Sequence, residues 1–295
     1  MLRWRLLSAA VIIPSVLVLV WLDYHCGNPG AWLMPLMLTL TGMAAWEVNG
    51  LLRAGGQNPR PMLTTVFAVG VAASFCLPIV VPQSWLTGIA VTGPPLIAVT
   101  VAVLAILAAE LPRFNGNGQS LSQAAWGIYT ILYIGLLFGF LAPLRLIHDN
   151  AWGMIALVSM LTITKFADTG AFVFGKTLGR TKMTPRLSPG KTVEGALGGV
   201  FTACCVAWLL QRFLIPALVT EPIREQAGAW ICYGAILAAA GMVGDLVESL
   251  LKREMHTKDS SRWLPGLGGV MDIVDSILFA APVAYACWVL GLIGP

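Results

Sequence analysis

Long apolar runs recur along the whole chain, and many reach the roughly 18 to 20 residues that a helix needs to cross a bilayer. Charged residues make up only 11% of the sequence, against about 25% in a typical soluble domain. This pattern excludes a water-soluble fold and predicts an all-α, polytopic membrane protein with about nine transmembrane helices. The predicted spans cover about residues 6–22, 31–52, 62–81, 91–109, 124–147, 151–172, 193–216, 228–251 and 270–293.

The basic residues fall almost entirely on one side of these spans. With a cytoplasmic N-terminus and alternating spans, 15 of the 18 Lys and Arg residues are cytoplasmic, and the exceptions are Arg145, Arg212 and Arg224. Cytoplasmic loops of membrane proteins carry an excess of Lys and Arg. The charge distribution therefore predicts that the N-terminus and the basic loops of the second half face the cytoplasm.

Polar residues within the spans divide the chain into two regions. Residues 1–115 are predicted to be N-terminal transmembrane helices with few internal polar groups. Glu47 is the exception, and it is either an interfacial carboxylate close to Arg53 or a functional group. From Lys165 onward, ionisable residues lie inside or at the ends of apolar helices, where an unpaired charge is costly and usually marks a function. Residues 116–295 are therefore predicted to form a catalytic transmembrane region.

A Ser-Pro-Gly-Lys-Thr segment precedes the seventh apolar run. It predicts a helix entry, with Ser188 as a capping hydroxyl and Pro189 at or near the first helical position. Such a helix start can hold a phosphate, and Lys191 and Thr192 add a charge and a hydroxyl. A nucleotide-binding P-loop is excluded, because Pro185 stands where that motif needs glycine. A simple cap flanked by interfacial lysines is the alternative.

Two pairs of acidic residues stand near helix ends further along the chain. Asp245, Glu248 and Lys252 share one helical face, and Asp272 and Asp275 are three residues apart at the start of the last span. Magnesium is commonly held by one or two carboxylates together with substrate phosphates, so these pairs predict a metal site. A salt bridge between Glu248 and Lys252, and capping of the last helix by one aspartate, are the structural alternatives.

These residues lie within a longer pattern that resembles the signature of the phosphatidate cytidylyltransferase family. The pattern covers roughly residues 165–285 and consists of Asp168-Thr-Gly-Ala, Ser188-Pro-Gly-Lys-Thr-Val-Glu194-Gly, Gly244-Asp245-Leu-Val-Glu248-Ser249, Leu-Leu-Lys252-Arg253, Lys258-Asp259, Pro265-Gly266-Leu267-Gly268-Gly269, Asp272 and Asp275. The family usually has His where Leu267 stands and Arg where Ile273 stands. Because all the acidic residues and the lysines of the pattern are kept, we expect an active variant.

The resemblance implies that a phosphate oxygen of phosphatidic acid attacks the α-phosphorus of CTP, giving CDP-diacylglycerol and pyrophosphate. It implies magnesium, with a potassium ion beside it, a homodimer, and a place in the bacterial inner membrane. The implied catalytic residues are Asp245, Asp272, Asp275 and Lys258, and the implied metal ligands are Asp245, Glu248, Asp272 and Asp275. The implied substrate-binding residues are Asp168, Ser188, Lys191, Thr192, Glu194, Lys252, Arg253, Gly268 and Gly269.

Two other functions fit part of this pattern. A CTP-dependent transferase or kinase of another membrane lipid would need the same metal and phosphate groups. A transporter would use intramembrane carboxylates for ions or protons, but it should spread them across the midplane and often shows two related halves. Here the acidic clusters lie toward one side and the halves are unlike. No nucleic-acid partner is expected.

Overall fold

A computed structural model describes residues 2–81, 93–116, 118–219, 226–257, 260, 261, 263 and 268–295, with side chains from residue 10 onward. The described part is almost entirely helical, as predicted. Its α-helices are α1 Leu2–His25, α2 Leu33–Ala54, α3 Pro61–Ser74, α4 Leu77–Val80, α5 Gly93–Glu110, α6 Ser120–Thr130, α7 Leu137–Gly139, α8 Leu141–Arg145, α9 Asn150–Leu178, α10 Val193–Leu218, α11 Ala227–Glu254 and α12 Met271–Val289. Two short antiparallel strands, β1 Lys182–Thr184 and β2 Ser188–Thr192, join α9 to α10.

Six helical segments of the described chain are long and apolar enough to cross a membrane. They are Gly93–Arg113, Ser120–Arg145, Asn150–Leu178, Val193–Leu218, Ala227–Glu254 and Met271–Val289. The chain is therefore a multi-pass membrane protein, and the predicted count of nine spans is not confirmed. Helix α2 is long enough but falls outside the six, since polar residues such as Glu47 and Asn49 lower its hydropathy.

Two predicted spans differ in detail from the structure. The predicted helix over residues 62–81 is broken, because α3 ends at Ser74 and a new short helix starts just before Pro78. Proline has no N–H to continue a helical ladder, but it is tolerated in a first turn. The fifth predicted span begins earlier, at Ser120, and passes through a π-helical stretch at Ile131–Leu136.

The chain divides into two compact units. Unit 1 consists of Met1–Pro143 and Leu251–Val274, and unit 2 of Leu144–Leu250 and Asp275–Pro295. Helix α6 packs against α3 and α5 and belongs to unit 1 with the N-terminal helices. The predicted division near residue 115 into N-terminal helices and a catalytic region stays a prediction. The core of unit 1 includes the buried residues Val71, Ala102, Ile106, Ala124 and Ile131.

In unit 2, α9 and α10 pack closely along their length. Glycines make this approach possible, since a Cβ on Gly170 would collide with Thr202 and one on Gly198 with Phe174. The start of α9 is capped by Asp149, whose Oδ1 accepts a hydrogen bond from the N–H of Trp152 at 2.8 Å. These contacts give unit 2 a rigid helical pair whose ends are joined by the β1–β2 hairpin.

The predicted helix entry at Ser188 is wrong. Ser188 begins strand β2 and pairs with Thr184, and the helix starts only at Val193. Thr192 is the cap, with its Oγ1 accepting a hydrogen bond from the N–H of Gly195 at 3.1 Å. The hydroxyl at Ser188 cannot cap α10, because extended backbone separates it from the first helical turn.

Candidate active site

Three carboxylates of unit 2 converge where α11 and α12 meet. Asp245 and Glu248 lie one turn apart on α11, Asp275 lies on α12, and one ligand oxygen from each falls within 4.8 Å of the others. Gly244 makes this approach possible, because a Cβ there would collide with the main-chain oxygen of Asp275. The predicted pairing of acidic residues from two helices is thus present in the structure, with Asp275 as the partner from α12.

The donor chemistry of this carboxylate cluster suits a hard divalent cation. Glu248 is 3% exposed and Asp275 is 8% exposed, while Asp245 is half-buried. Gathered carboxylates repel one another, and burying a charge is expensive unless it is paired or coordinates a metal. Magnesium prefers oxygen ligands and takes one or two carboxylates together with phosphates and water. Asp245, Glu248 and Asp275 therefore fit the magnesium ion that the sequence predicts.

The hairpin contributes a cation to this cluster. Lys191, on strand β2, places its Nζ 2.8 Å from Oδ2 of Asp245, and its side chain is 21% exposed. The ion pair connects the hairpin to α11. The Lys191 side chain is partly exposed, but its ammonium nitrogen is buried beside the carboxylates, so it would meet a phosphate that enters the cluster.

A hydrogen-bond network around the hydroxyl of Ser276 joins α12 to α9. Ser276 Oγ lies 2.9 Å from Lys165 Nζ and donates to Asp168 Oδ2 at 3.0 Å. Lys165 and Asp168 are themselves 3.5 Å apart on α9. Ser276 follows Asp275 directly, and its N–H donates to Asp275 Oδ1 at 2.6 Å. The predicted residue Asp168 is thus connected through Ser276 to the segment that carries Asp275.

Unit 1 holds a second polar group around Asp272. Its carboxylate accepts hydrogen bonds from Lys252 Nζ at 2.5 Å, from the N–H of Gly269 at 2.7 Å and from Ser260 Oγ. Gly268 adopts a φ of +93°, which glycine tolerates without strain. Asp272 is not a member of the three-carboxylate cluster. Its predicted role as a metal ligand stays a prediction.

Two predicted substrate-binding residues, Thr192 and Glu194, have structural partners at the hairpin. Glu194 accepts hydrogen bonds from the N–H groups of Arg180 and Thr181, each at 3.1 Å, and so closes the base of the hairpin. Thr192 is used as the helix cap, and Arg253 is exposed. Lys258 and Leu267, together with the adjoining Asp259, lie outside the described residues.

Sequence reasoning missed three hydroxyl groups and left the role of one carboxylate open. Ser260, Ser261 and Ser276 contact the acidic residues, and the only signal was their position one or two residues after an aspartate. Glu47 was interpreted as a neighbour of Arg53 or as a functional group. In the structure Arg53 lies over the Trp46 ring, and Glu47 binds the start of α12.

Fold and site together define a multi-pass membrane protein whose gathered carboxylates and lysines suit the chemistry of phosphate groups. The sequence pattern of the cytidylyltransferase family matches residues 3–290. The chain belongs to this family, which confirms the resemblance seen in the sequence and favours a nucleotidyltransferase over a transporter.

Curated relatives carry the name phosphatidate cytidylyltransferase. The protein of Staphylococcus aureus strain COL is 34% identical over 190 residues, which are 64% of this chain and 66% of the relative. The Staphylococcus epidermidis protein is 31% identical over 216 residues, 72% of this chain and 76% of the relative. The Haemophilus influenzae protein is 38% identical over 135 residues, 46% of each chain. The match thus spans just under two thirds of the S. aureus protein.

Proposed function

We propose that the protein is a phosphatidate cytidylyltransferase, which transfers CMP from CTP to phosphatidic acid. The observation that carries this proposal is the convergence of Asp245, Glu248 and Asp275, with Lys191 2.8 Å from Asp245, in a chain of the cytidylyltransferase family. The names of the relatives supply the lipid substrate. The three carboxylates lie on two of the candidate membrane spans, which suits a substrate that stays in the bilayer.

The reaction joins two anions. A phosphate oxygen of phosphatidic acid forms a bond to the α-phosphorus of CTP, and the bond from that phosphorus to the bridging oxygen of the β-phosphate breaks. Pyrophosphate leaves with the electron pair of the broken bond, and CDP-diacylglycerol stays in the membrane. Catalysis of such a transfer consists mainly of positioning the two phosphates and stabilising charge.

The polar groups of the candidate site would share the positioning of the phosphates and the stabilisation of charge. Asp245, Glu248 and Asp275 would hold magnesium, which when bound neutralises phosphate charge. Lys191 would bind a phosphate oxygen from its place beside Asp245, and Ser276 would keep Asp168 and Lys165 in place. In the Asp272 group, Lys252 would contact a substrate phosphate, as the family resemblance implies.

The remaining predictions about the whole protein belong to the same proposal. They are nine spans, a cytoplasmic N-terminus and active site, a bacterial inner membrane location, a potassium ion beside the magnesium, and a homodimer. The charge distribution of the loops supports the orientation. The bacterial origin of the relatives supports the location.

The test is the formation of CDP-diacylglycerol from CTP and phosphatidic acid by purified protein in detergent, measured together with pyrophosphate release. We expect product that requires magnesium and disappears in the Asp275→Asn variant. Asp149→Asn is the matched control, because Asp149 caps α9 and asparagine is an equally good cap. That variant should keep full activity.

Two results would contradict the proposal. Folded protein that forms no product under conditions in which the S. aureus enzyme works would show that the substrate has changed or that activity is lost. Transfer of a phosphoryl group from CTP to another membrane lipid, with release of CDP rather than pyrophosphate, would favour the kinase alternative.

A further inference from the structure

Glu47 binds the beginning of a helix that lies more than two hundred residues away in the sequence. Its carboxylate accepts hydrogen bonds from the N–H groups of Val270 and Met271, each at 2.9 Å, and from Ser261 Oγ at 2.6 Å. The residue is 3% exposed. A buried charge persists only where its interactions offset the cost of losing water, and Glu47 has three such interactions.

These contacts provide hydrogen-bond acceptors for main-chain N–H groups at the start of α12. The first N–H groups of a helix have no partner within the helix, and a side chain just before the helix usually provides one. Here the residues before Val270 are Gly268 and Gly269, which have no side chain to offer. The carboxylate on α2 takes that place, and its negative charge also suits the positive end of the helix dipole.

The segments that Glu47 holds also hold Asp272. Ser261 donates to Glu47 while its neighbour Ser260 donates to Asp272, and the N–H of Gly269 donates to Asp272 while the next two N–H groups donate to Glu47. A Cβ on Gly269 would collide with both Ser260 Oγ and the Glu47 carboxylate. The two carboxylates therefore fix the same short stretches of main chain from two sides.

We propose that Glu47 is a positioning residue that sets the first turn of α12 and thereby the orientation of Asp272 and of its partner Lys252. This inference rests on the proposed function, since it assigns Asp272 and Lys252 to nucleotide transfer. In this role Glu47 acts through the main chain that it holds and is assigned no contact with either substrate. Its loss should alter how the enzyme handles magnesium and CTP, beyond any effect on stability.

The chain offers a matched control in Glu110, a second buried carboxylate of unit 1. Glu110 is 7% exposed and pairs with Arg60 and Arg113 at 3.4 and 3.2 Å, and neither partner belongs to α12. Glu47→Gln and Glu110→Gln each remove one buried charge and keep side-chain size. A purely structural role would give the two variants the same phenotype.

The kinetic test compares both variants with wild type for kcat, for KM of CTP and for the magnesium concentration that gives half-maximal activity. We expect Glu47→Gln to lower kcat at least tenfold and to raise the magnesium requirement several-fold, with Glu110→Gln within twofold of wild type. The fold-loss of kcat in the double variant Glu47→Gln, Ser260→Ala should be smaller than the product of the losses in the two single variants, because both residues act on Asp272. Unchanged KM and magnesium dependence in folded Glu47→Gln would overturn the inference.

A readout without turnover separates this inference from the proposed function. Hydrogen–deuterium exchange of a peptide that contains Val270 and Met271 should increase in Glu47→Gln and stay unchanged in Glu110→Gln. Wild-type protein that shows no CTP-dependent turnover would contradict the proposed function. Exchange that is unchanged in Glu47→Gln would contradict the role of Glu47, whether or not the wild type turns over.

Discussion

Lys191 Nζ lies 2.8 Å from Asp245 Oδ2, so a residue of the β1–β2 hairpin is paired with a carboxylate on helix α11. The pair brings together two segments that the sequence places 54 residues apart, as their numbers show. One partner belongs to the carboxylate cluster with Glu248 and Asp275, and the other is a cation whose ammonium nitrogen is buried beside that cluster. The hairpin is therefore part of the candidate site.

Replacement of Lys191 by glutamine should weaken nucleotide binding. We expect KM for CTP to rise by about tenfold or more, since a hydrogen bond to a charged group contributes about 1.5 to 3 kcal/mol. Lys182→Gln is the control, because Lys182 is an exposed lysine on the other strand of the same hairpin. Equal KM values in the two variants would remove Lys191 from the phosphate-binding group.

Asp245→Asn and Asp272→Asn should each abolish turnover while the protein still folds and inserts into the membrane. The expected loss is on the order of a hundredfold or more, as for removal of a group that stabilises charge in a transition state. Product formation is measured alongside thermal unfolding in detergent. Substantial activity in either variant would take that residue out of the reaction.

Gly244→Ala should disturb the carboxylate cluster through packing alone. The new methyl group would collide with the main-chain oxygen of Asp275, and overpacking of this kind costs about 1 to 3 kcal/mol. We expect a lower unfolding temperature and reduced turnover.

Gly241→Ala is the matched control one turn earlier on α11. There the nearest atoms to a Cβ would be side-chain carbons of Thr164 and Ser276, at 3.1 and 3.5 Å, and the main-chain oxygen of Ser276 would lie at an ordinary 3.9 Å. It should be tolerated better than Gly244→Ala, because small shifts of these side chains relieve the contact. A control as inactive as Gly244→Ala would mean that helix spacing near Asp275 is not the sensitive quantity.

Thr192→Ala should destabilise the protein by about 1 kcal/mol, because it removes the N-cap of α10. Thr192→Ser keeps the hydroxyl and should retain most of the stability that Thr192→Ala loses. Ser188→Ala should leave the stability nearly unchanged, since Ser188 lies in strand β2 and caps no helix. Thermal unfolding of the three variants in one detergent gives the comparison, and an effect of Ser188→Ala as large as that of Thr192→Ala would contradict the assignment of the cap.

Local patterns predicted much of the site. Asp245 and Glu248, three residues apart, had to share a face of α11, because helical side chains repeat every 3.6 residues. The same rule favoured Asp272 and Asp275 equally as the α12 partners of Asp245 and Glu248. The structure brings Asp275 to the cluster and pairs Asp272 with Lys252. No spacing within one helix could distinguish these outcomes, since they depend on the rotation and crossing of two helices.

From the order of the amino acids alone one can read a helical membrane protein, a resemblance to the phosphatidate cytidylyltransferase family and a set of candidate acidic and basic site residues. Hydropathy and helical periodicity are local properties, so they are readable from neighbouring residues. The three-dimensional structure was needed to show that Thr192 rather than Ser188 caps α10, that Gly244 lets Asp275 approach Asp245, and that Glu47 holds the start of α12. The position of the cap depends on the pairing of strand β2 with β1, which keeps Ser188 in extended backbone. The other two contacts join segments far apart in the chain, and packing between helices decides which side chains meet.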